Sequence, residues 1–531
     1  MEINLELWIA VISIGILLYK WITRNNDYFH EKPIPSMAVK PFFGGIAPLV
    51  FKSFSMNGFI SHIYQKYPNV KVFGFFDALT PIFVVRDPEL IKKITVKDFD
   101  HFIDHLPMFG NSENDNPYSI FGKTLFALTG KKWRQMRATL SPAFTGSKMR
   151  KMFELVIECS DSVAQFYKTQ SNETHEVELT DLLTRFGFDV IASCAFGIRM
   201  DSLRDRDNDF YNNGIKMRRF QRLSVAIRFV MFKFCPTLMG KLGIDVIDRD
   251  QVRYFSALIK DAVKQRQTKD IIRHDMIQLL IQARKGTLKH QEEKEVEEGF
   301  ATVKESSIGK TNVTFNMTDN EMIAQAFVFF LAGFETVSTA LTFLIHDLVM
   351  NKDVQHRLYE EVASTHEYLQ GKHLNYDTLQ KMKYMDMVVS ESMRMRPAGP
   401  FMDRVCIHDY DLDDGQGLKF TIDKGTAVWI PVQGIHMDPK YYPNPERFDP
   451  ERFNDENKAA INPMTYLPFG IGPRNCIGSR FALMEIKAIV YYLLLHFSFE
   501  ANRKTQIPLK LRKGFTVVAA EGEVWIDLKA R

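Results

Sequence analysis

Pro468-Phe469-Gly470-Ile471-Gly472-Pro473-Arg474-Asn475-Cys476-Ile477-Gly478 decides how this 531-residue chain is read. Two glycines and a proline call for a tight, rigid turn. The apolar run behind it, from about Ser479 to Phe497, has helical spacing. Turn N–H groups and a helix N-terminus stabilise a cysteine as thiolate, the form that binds metal. One thiolate cannot build a zinc site by itself. It can be the axial ligand of a haem, whose other four positions come from the porphyrin. A nucleotide loop is the competing reading, but Asn475 stands where G-x-G-x-x-G needs its third glycine, and no strand–helix unit surrounds it.

Cys159, Cys194, Cys235 and Cys406 stand in helix-like or strand-like apolar context and read as small buried hydrophobes. Five cysteines without a C-x-x-C exclude a disulfide scaffold and a zinc ribbon. A hydrophobic share of 45% with 25% charged residues excludes disorder, collagen and coiled coil as the main architecture. A net charge of +4 is too weak to grip nucleic acid. The 43 Phe and 24 Met point instead to a large, deformable apolar interior.

Leu7 to Tyr19 carries no charge, and its flanks extend the apolar reach to about 20 residues, enough to cross a bilayer. Glu2 and Glu6 precede it, while Lys20, Arg24 and Lys32 follow, so the positive-inside rule puts the remainder in the cytosol. We therefore divide the chain into an uncleaved anchor (3–22), a proline-rich strap (23–50) and one large domain (51–531). In that domain Val70 to Val85 reads as a hairpin broken around Asp77–Pro81, and Thr426 to Pro431 as a short strand. Helical spacing dominates 131–168, 181–196, 250–283 and 319–350, the last opened by a Thr318/Glu321 capping box. Residues 284–316 are rich in Lys, Glu, Gly and Ser/Thr and read as a solvated loop. The fold class is mostly α with a minor β-sheet region.

Three further constellations accompany the cysteine. Glu391-Ser392-Met393-Arg394 puts an acid and a base on one helix face, by itself a surface pair of little worth. Ala332-Gly333-Phe334-Glu335-Thr336 interrupts an apolar stripe with a glycine and two polar residues, which alone could be a packing accident. Trp133 and Arg137 lie one helical turn apart, a weak signal in isolation.

Together with the loop, these residues resemble the cytochrome P450 monooxygenases. Phe469-x-x-Gly472-x-Arg474-x-Cys476-x-Gly478 matches the family's cysteine-loop signature in full, and the other motifs follow in the family's order. The resemblance implies the P450 fold and haem b ligated by Cys476. It implies Trp133, Arg137, Arg404 and Arg474 as propionate partners, and Glu335 and Thr336 as the oxygen-activation pair. It also implies a buried structural cluster of Glu391, Arg394 and an arginine from a P-E-R-F motif. Two copies occur, Pro445–Phe448 and Pro450–Phe453; by spacing the second, with Arg452, resembles the family's partner. Electrons would come from an NADPH–cytochrome P450 reductase, with cytochrome b5 as a possible second donor, because no nicotinamide or flavin motif occurs. Lys131, Lys132, Arg134, Arg480 and Lys487 are candidates to face it. The closest flavour is the insect microsomal, xenobiotic-metabolising group, in the clan of the mammalian liver drug oxidisers, which implies an endoplasmic reticulum membrane protein.

The implied reaction inserts one atom of O2 into apolar small molecules, either xenobiotics such as plant toxins or insecticides, or endogenous lipophiles. The alternative is an enzyme of the same fold dedicated to one hormone, lipid or pheromone. Candidate pocket residues lie in 101–125, 210–240, Val328–Ala332, Ala398–Met402 and near Gly514-Phe515. A zinc hydrolase using His101 and His105 lacks a Glu general base between them. A haem-thiolate isomerase is disfavoured by Thr336, and a non-catalytic lipid binder leaves the motifs unused.

Overall fold

Thr318 and Glu321 close a reciprocal capping box. The Thr318 hydroxyl accepts from the Glu321 N–H at 3.2 Å, and the Glu321 carboxylate accepts from the Thr318 N–H at 2.8 Å. The 32-residue helix they open contains no proline to stop it. The computed structural model describes residues 5–38, 40, 42–107, 119–217, 228, 231–232, 235–244, 247–289, 299–311, 313, 315–515 and 517–531. Much of the 210–240 stretch and part of the 101–125 loop lie outside the described residues, so those pocket candidates are not placed. The chain forms two compact units, each built from three pieces.

One unit comprises residues 1–106, 400–435 and 513–517. It begins with α1 (Leu5–Thr23), whose residues from Trp8 to Tyr19 are all exposed although apolar. Its sheet joins β1 (Val72–Asp77), β2 (Thr80–Val85), β4 (Met402–Val405) and β7 (Ala427–Ile430) in the order β1-β2-β7-β4, with β2 and β7 parallel, while β5 (Tyr410–Asp413) and β6 (Lys419–Ile422) form a separate antiparallel pair. The hairpin turns more tightly than the sequence suggests, at Ala78-Leu79, and Pro81 already pairs with Phe76. The strap is docked rather than free: Gly74 N–H donates to Pro35 O at 2.8 Å, and Phe29 packs edge-on against Phe76 and Phe83. Gly74 is required there, since a Cβ would come within 2.6 Å of the Phe29 ring. His101 ends a three-residue 3-10 turn, and His105 bonds Asp403 instead, so the two histidines share no helix face.

The second unit comprises residues 107–399, 436–512 and 518–531. Pro142 divides the helical stretch 131–168 into α2 (Gly130–Leu140), a 3-10 turn, and α3 (Gly146–Lys168). These are followed by α4 (Leu179–Ile191), α5 (Asp319–Met350), α6 (Lys383–Met395) and α7 (Ser479–His496). A small antiparallel sheet of β3 (Thr174–Glu178), β8 (Phe497–Glu500) and β9 (Trp525–Ala530) runs in the order β3-β9-β8. The phenylalanine surplus is spent inside: Phe188, Phe196, Phe210, Phe255, Phe330 and Phe334 form one ring cluster with centroids 4.4–6.1 Å apart. Phe210 and Phe330 are thus core rather than pocket wall.

Helices α4 and α5 approach closely because each offers a glycine, Gly187 beneath Phe334 and Gly333 beneath Ile191. A Cβ on Gly333 would lie 2.4 Å from Ile191 Cδ1, which is itself buried. Gly333→Ala should therefore destabilise the fold by about 1–3 kcal/mol despite its better helix propensity. Adding Ile191→Val, which deletes that Cδ1, should restore most of the loss in thermal unfolding.

Candidate functional site

Gly470 and Gly472 both take left-handed backbone conformations, with φ of 73° and 76°, which a side chain would strain. The turn they make brings the Cys476 N–H to Phe469 O at 2.9 Å and the Asn475 N–H to Gly472 O at 3.0 Å. Asn475 and Arg474 are buried, whereas Cys476 between this turn and α7 is exposed. Crowding by protein around the sulfur pushes its thiol up, while a hydrogen bond from Gly478 N–H and the Arg137 guanidinium pull it back down. Of the other cysteines, Cys194 and Cys406 are buried, Cys159 is half-buried and Cys235 is exposed, so Cys235 is not the buried hydrophobe its context suggested.

The polypeptide leading to this loop is held by a buried charge cluster. Arg394 donates to Glu391 from Nε at 2.7 Å and from Nη2 at 2.9 Å, and both side chains are fully buried. Nη1 and Nη2 also reach His436 O at 2.7 Å and Pro445 O at 2.8 Å. Arg452, from the second P-E-R-F copy, donates to Glu391 Oε1 at 3.4 Å and to Asn444 O at 2.9 Å. Burial nonetheless pushes the Glu391 carboxyl up against the pull of Arg394.

On the other side, α2 clasps the loop. Trp133 and Arg137 are both buried on it. The Arg474 guanidinium stacks 4.4 Å over the Trp133 ring and donates to Leu128 O at 2.6 Å and Phe126 O at 3.2 Å. Arg137 donates to Asn475 O and Oδ1, each at 2.7 Å, leaving its buried Nε without a partner. Arg404 belongs to the first unit, buried on β4, where burial lowers its guanidinium to about 10.

Helix α5 stays α-helical through Ala332–Thr336, and the Thr336 hydroxyl donates to Ala332 O at 2.6 Å. Ala332 and Thr336 are exposed although the helix on both sides of them is largely buried; Glu335 is half-buried.

The chain matches the family model described as Cytochrome P450 over residues 35–524. This chain belongs to the cytochrome P450 family. It is 44% identical to Cytochrome P450 9e2 of Blattella germanica, over 99% of this chain and 98% of that protein. It is 42% identical to Probable cytochrome P450 9f2 of Drosophila melanogaster over 97% of each, and 33% identical to Cytochrome P450 3A2 of Rattus norvegicus over 96% and 94%. As a P450 it is a monooxygenase, an oxidoreductase whose cofactor is haem b with cysteine thiolate ligation.

The residues present in this P450 fit that cofactor. Arg137 keeps a buried, unpartnered Nε–H suited to a carboxylate, Cys476 is exposed beside the buried Arg474 and Asn475, and Ala332 and Thr336 are exposed in the middle of a largely buried helix. Among the described residues no group of three His, Cys, Asp or Glu could hold a metal ion.

Two readings need correction. Lys487 is not available to a partner: it is 1% exposed and pairs with Asp386 at 2.7 Å. The described part of 284–316 is not uniformly solvated either, since residues 299–311 pack against α2 and the cysteine loop. Sequence reasoning also missed the chemical part played by His436. Leu467 N–H donates to its Nε2 at 2.8 Å, so its Nδ1–H donates to Arg394 O at 3.1 Å, tying α6 to the irregular segment entering the loop. Nothing local in the sequence marks it.

Burial and the Arg394 charge lower His436 to about 3 from 6.5, so it is neutral in the fold and takes a proton when unfolded in mild acid. Its contribution to stability is present above about pH 6.5 and falls by up to about 1.4 kcal/mol per pH unit as pH drops toward 3. His436→Gln should flatten the decline of the unfolding midpoint between pH 7 and 4; parallel curves would assign the acid sensitivity elsewhere.

Proposed function

We propose that Cys476 supplies the axial thiolate, and that Trp133, Arg137, Arg404 and Arg474 hold the haem propionates. The carrying observation is the exposed Cys476 beside the buried Arg474 and Asn475, in a loop pinned on both flanks. When bound, haem b supplies reductive activation of dioxygen, one oxygen atom entering the substrate and the other leaving as water. The chain supplies the rest. The clasp by α2 and the Glu391 cluster keep the sulfur from moving. The Thr336 hydroxyl, donating to Ala332 O, leaves its oxygen lone pairs to hold a proton at the exposed face of α5, with the Glu335 carboxyl next to it in sequence.

Electrons come from NADPH through a membrane flavoprotein reductase, with cytochrome b5 as an auxiliary donor. Exposed Lys131 and Lys132 on α2, near the loop's clasp, support docking of an acidic partner there. The substrates are apolar small molecules, xenobiotics or endogenous lipophiles. The accessible apolar side chains of Val328 and Ala332 on α5 support that class.

The protein sits on the endoplasmic reticulum membrane with its catalytic part in the cytosol. Exposed, apolar α1 supports an anchor; among the described residues the helix long and apolar enough to cross a membrane is Asp319–Met350, which is largely buried, whereas α1 is shorter. An exposed patch of Phe42, Phe43, Phe51, Phe515 and Val517, beside Lys52 and Lys513, supports a second contact with lipid.

Cys476→Ser should abolish the ferrous-CO absorption at the long-wavelength position that thiolate ligation produces, while Cys159→Ser leaves it unchanged. Persistence of that band in Cys476→Ser would refute the assignment.

Deleting residues 1–24 should release the protein from vesicles only in part. Combining the deletion with Phe43→Ser, Phe51→Ser and Phe515→Ser should complete the release in flotation assays.

A further inference from the structure

Residues 299–311 carry no apolar periodicity, yet they are bonded into the unit along their length. The Phe300 ring lies 5.2 Å from both Phe453 and Tyr466, and its N–H donates to Asp386 Oδ2 at 2.7 Å. Lys304 O accepts from Asn475 Nδ2 at 3.3 Å, one residue before the cysteine. At the centre is Glu305. Its Oε2 accepts from Arg137 Nη2 at 2.7 Å and from Ser141 Oγ at 3.1 Å, and its Oε1 accepts from the Ser306 N–H at 3.0 Å. Gly309 leaves the space this side chain occupies, since a Cβ there would meet Glu305 Cδ at 2.4 Å. The carboxylate is thus placed by both its own segment and α2.

Arg137 is a buried cation whose terminal nitrogens divide between Glu305 and Asn475, so the same guanidinium touches the acid and the cysteine loop. An uncompensated buried guanidinium is costly, and at low dielectric its field reaches neighbouring groups with little screening. We propose that Glu305 is a positioning residue for the thiolate: it holds the Arg137 fork on the Asn475 carbonyl and cancels the positive charge that Arg137 would otherwise present to Cys476. This rests on the assignment of Cys476 as axial ligand. A cation beside a thiolate draws its electron density and weakens it as a donor; Glu305 restores that donation and so lowers the reduction potential of the iron.

The test uses the full-length, haem-loaded chain as wild type, Glu305→Gln and Glu305→Asp. Glu305→Gln keeps a hydrogen-bond acceptor but removes the charge; Glu305→Asp keeps the charge. The readouts are the iron midpoint potential by spectroelectrochemical titration and the ferrous-CO spectrum. We expect thiolate-type CO spectra in all three, a shift to more positive potential in Glu305→Gln, and a potential near wild type in Glu305→Asp. A Glu305→Gln variant that loses haem while Glu305→Asp retains it also supports the proposal. Thiolate spectra with an unshifted potential in Glu305→Gln overturn it, as does equal haem loss in both variants. A wild-type spectrum without thiolate character would instead overturn the Cys476 assignment, and this proposal with it.

Discussion

A carboxylate with no solvent contact costs several kcal/mol unless donors surround it, and Glu391 meets that demand with groups drawn from distant parts of the chain. Arg394 comes from its own helix, Arg452 from sixty-one residues downstream, and the Asp449 N–H adds a third donor at 2.8 Å. Arg394 then spends its remaining donors on the carbonyls of His436 and Pro445. Satisfying one buried acid therefore immobilises α6 and the polypeptide that runs on toward the cysteine. Removing a single partner would leave a buried charge uncompensated, a loss typically of about 3–5 kcal/mol.

From that cluster the order passes along the chain. His436, held neutral, relays it to Leu467, and the two left-handed glycines aim the following backbone so that Cys476 is pinned to Phe469 O. The opposing flank is secured differently, by the Arg474–Trp133 stack and the Arg137 bonds to Asn475. The sulfur proposed as axial ligand would have no protein co-ligands to correct its position, so its backbone must be rigid beforehand. Both sides of the loop satisfy that requirement, and the residue left exposed between them is the cysteine.

What the sequence made legible is what depends on near neighbours. The Cys476 turn, the helix behind it, the Thr318 cap and the one-face pairings of Glu391 with Arg394 and Trp133 with Arg137 follow from spacings of a few residues. The break at Pro142 was missed because apolar spacing continues across it, and the docking of the strap along β1 was not legible because such backbone pairing leaves no periodic trace. Lys487, in an apolar helix, and Glu305, in a charged stretch, were misread for one reason: a charged residue looks solvated until its partner is known.

The sequence by itself determined the family, the cysteine turn and the order of the helices, because backbone sterics, capping and side-chain periodicity act within a turn or two of the chain. Tertiary structure alone decided which buried charges meet. Arg452 reaches Glu391, Glu305 reaches Arg137, and Lys487 reaches Asp386, each across tens to hundreds of residues. Those pairings are enforced by the cost of burying a charge unpaired, and that cost exists only once the fold has removed water from both partners.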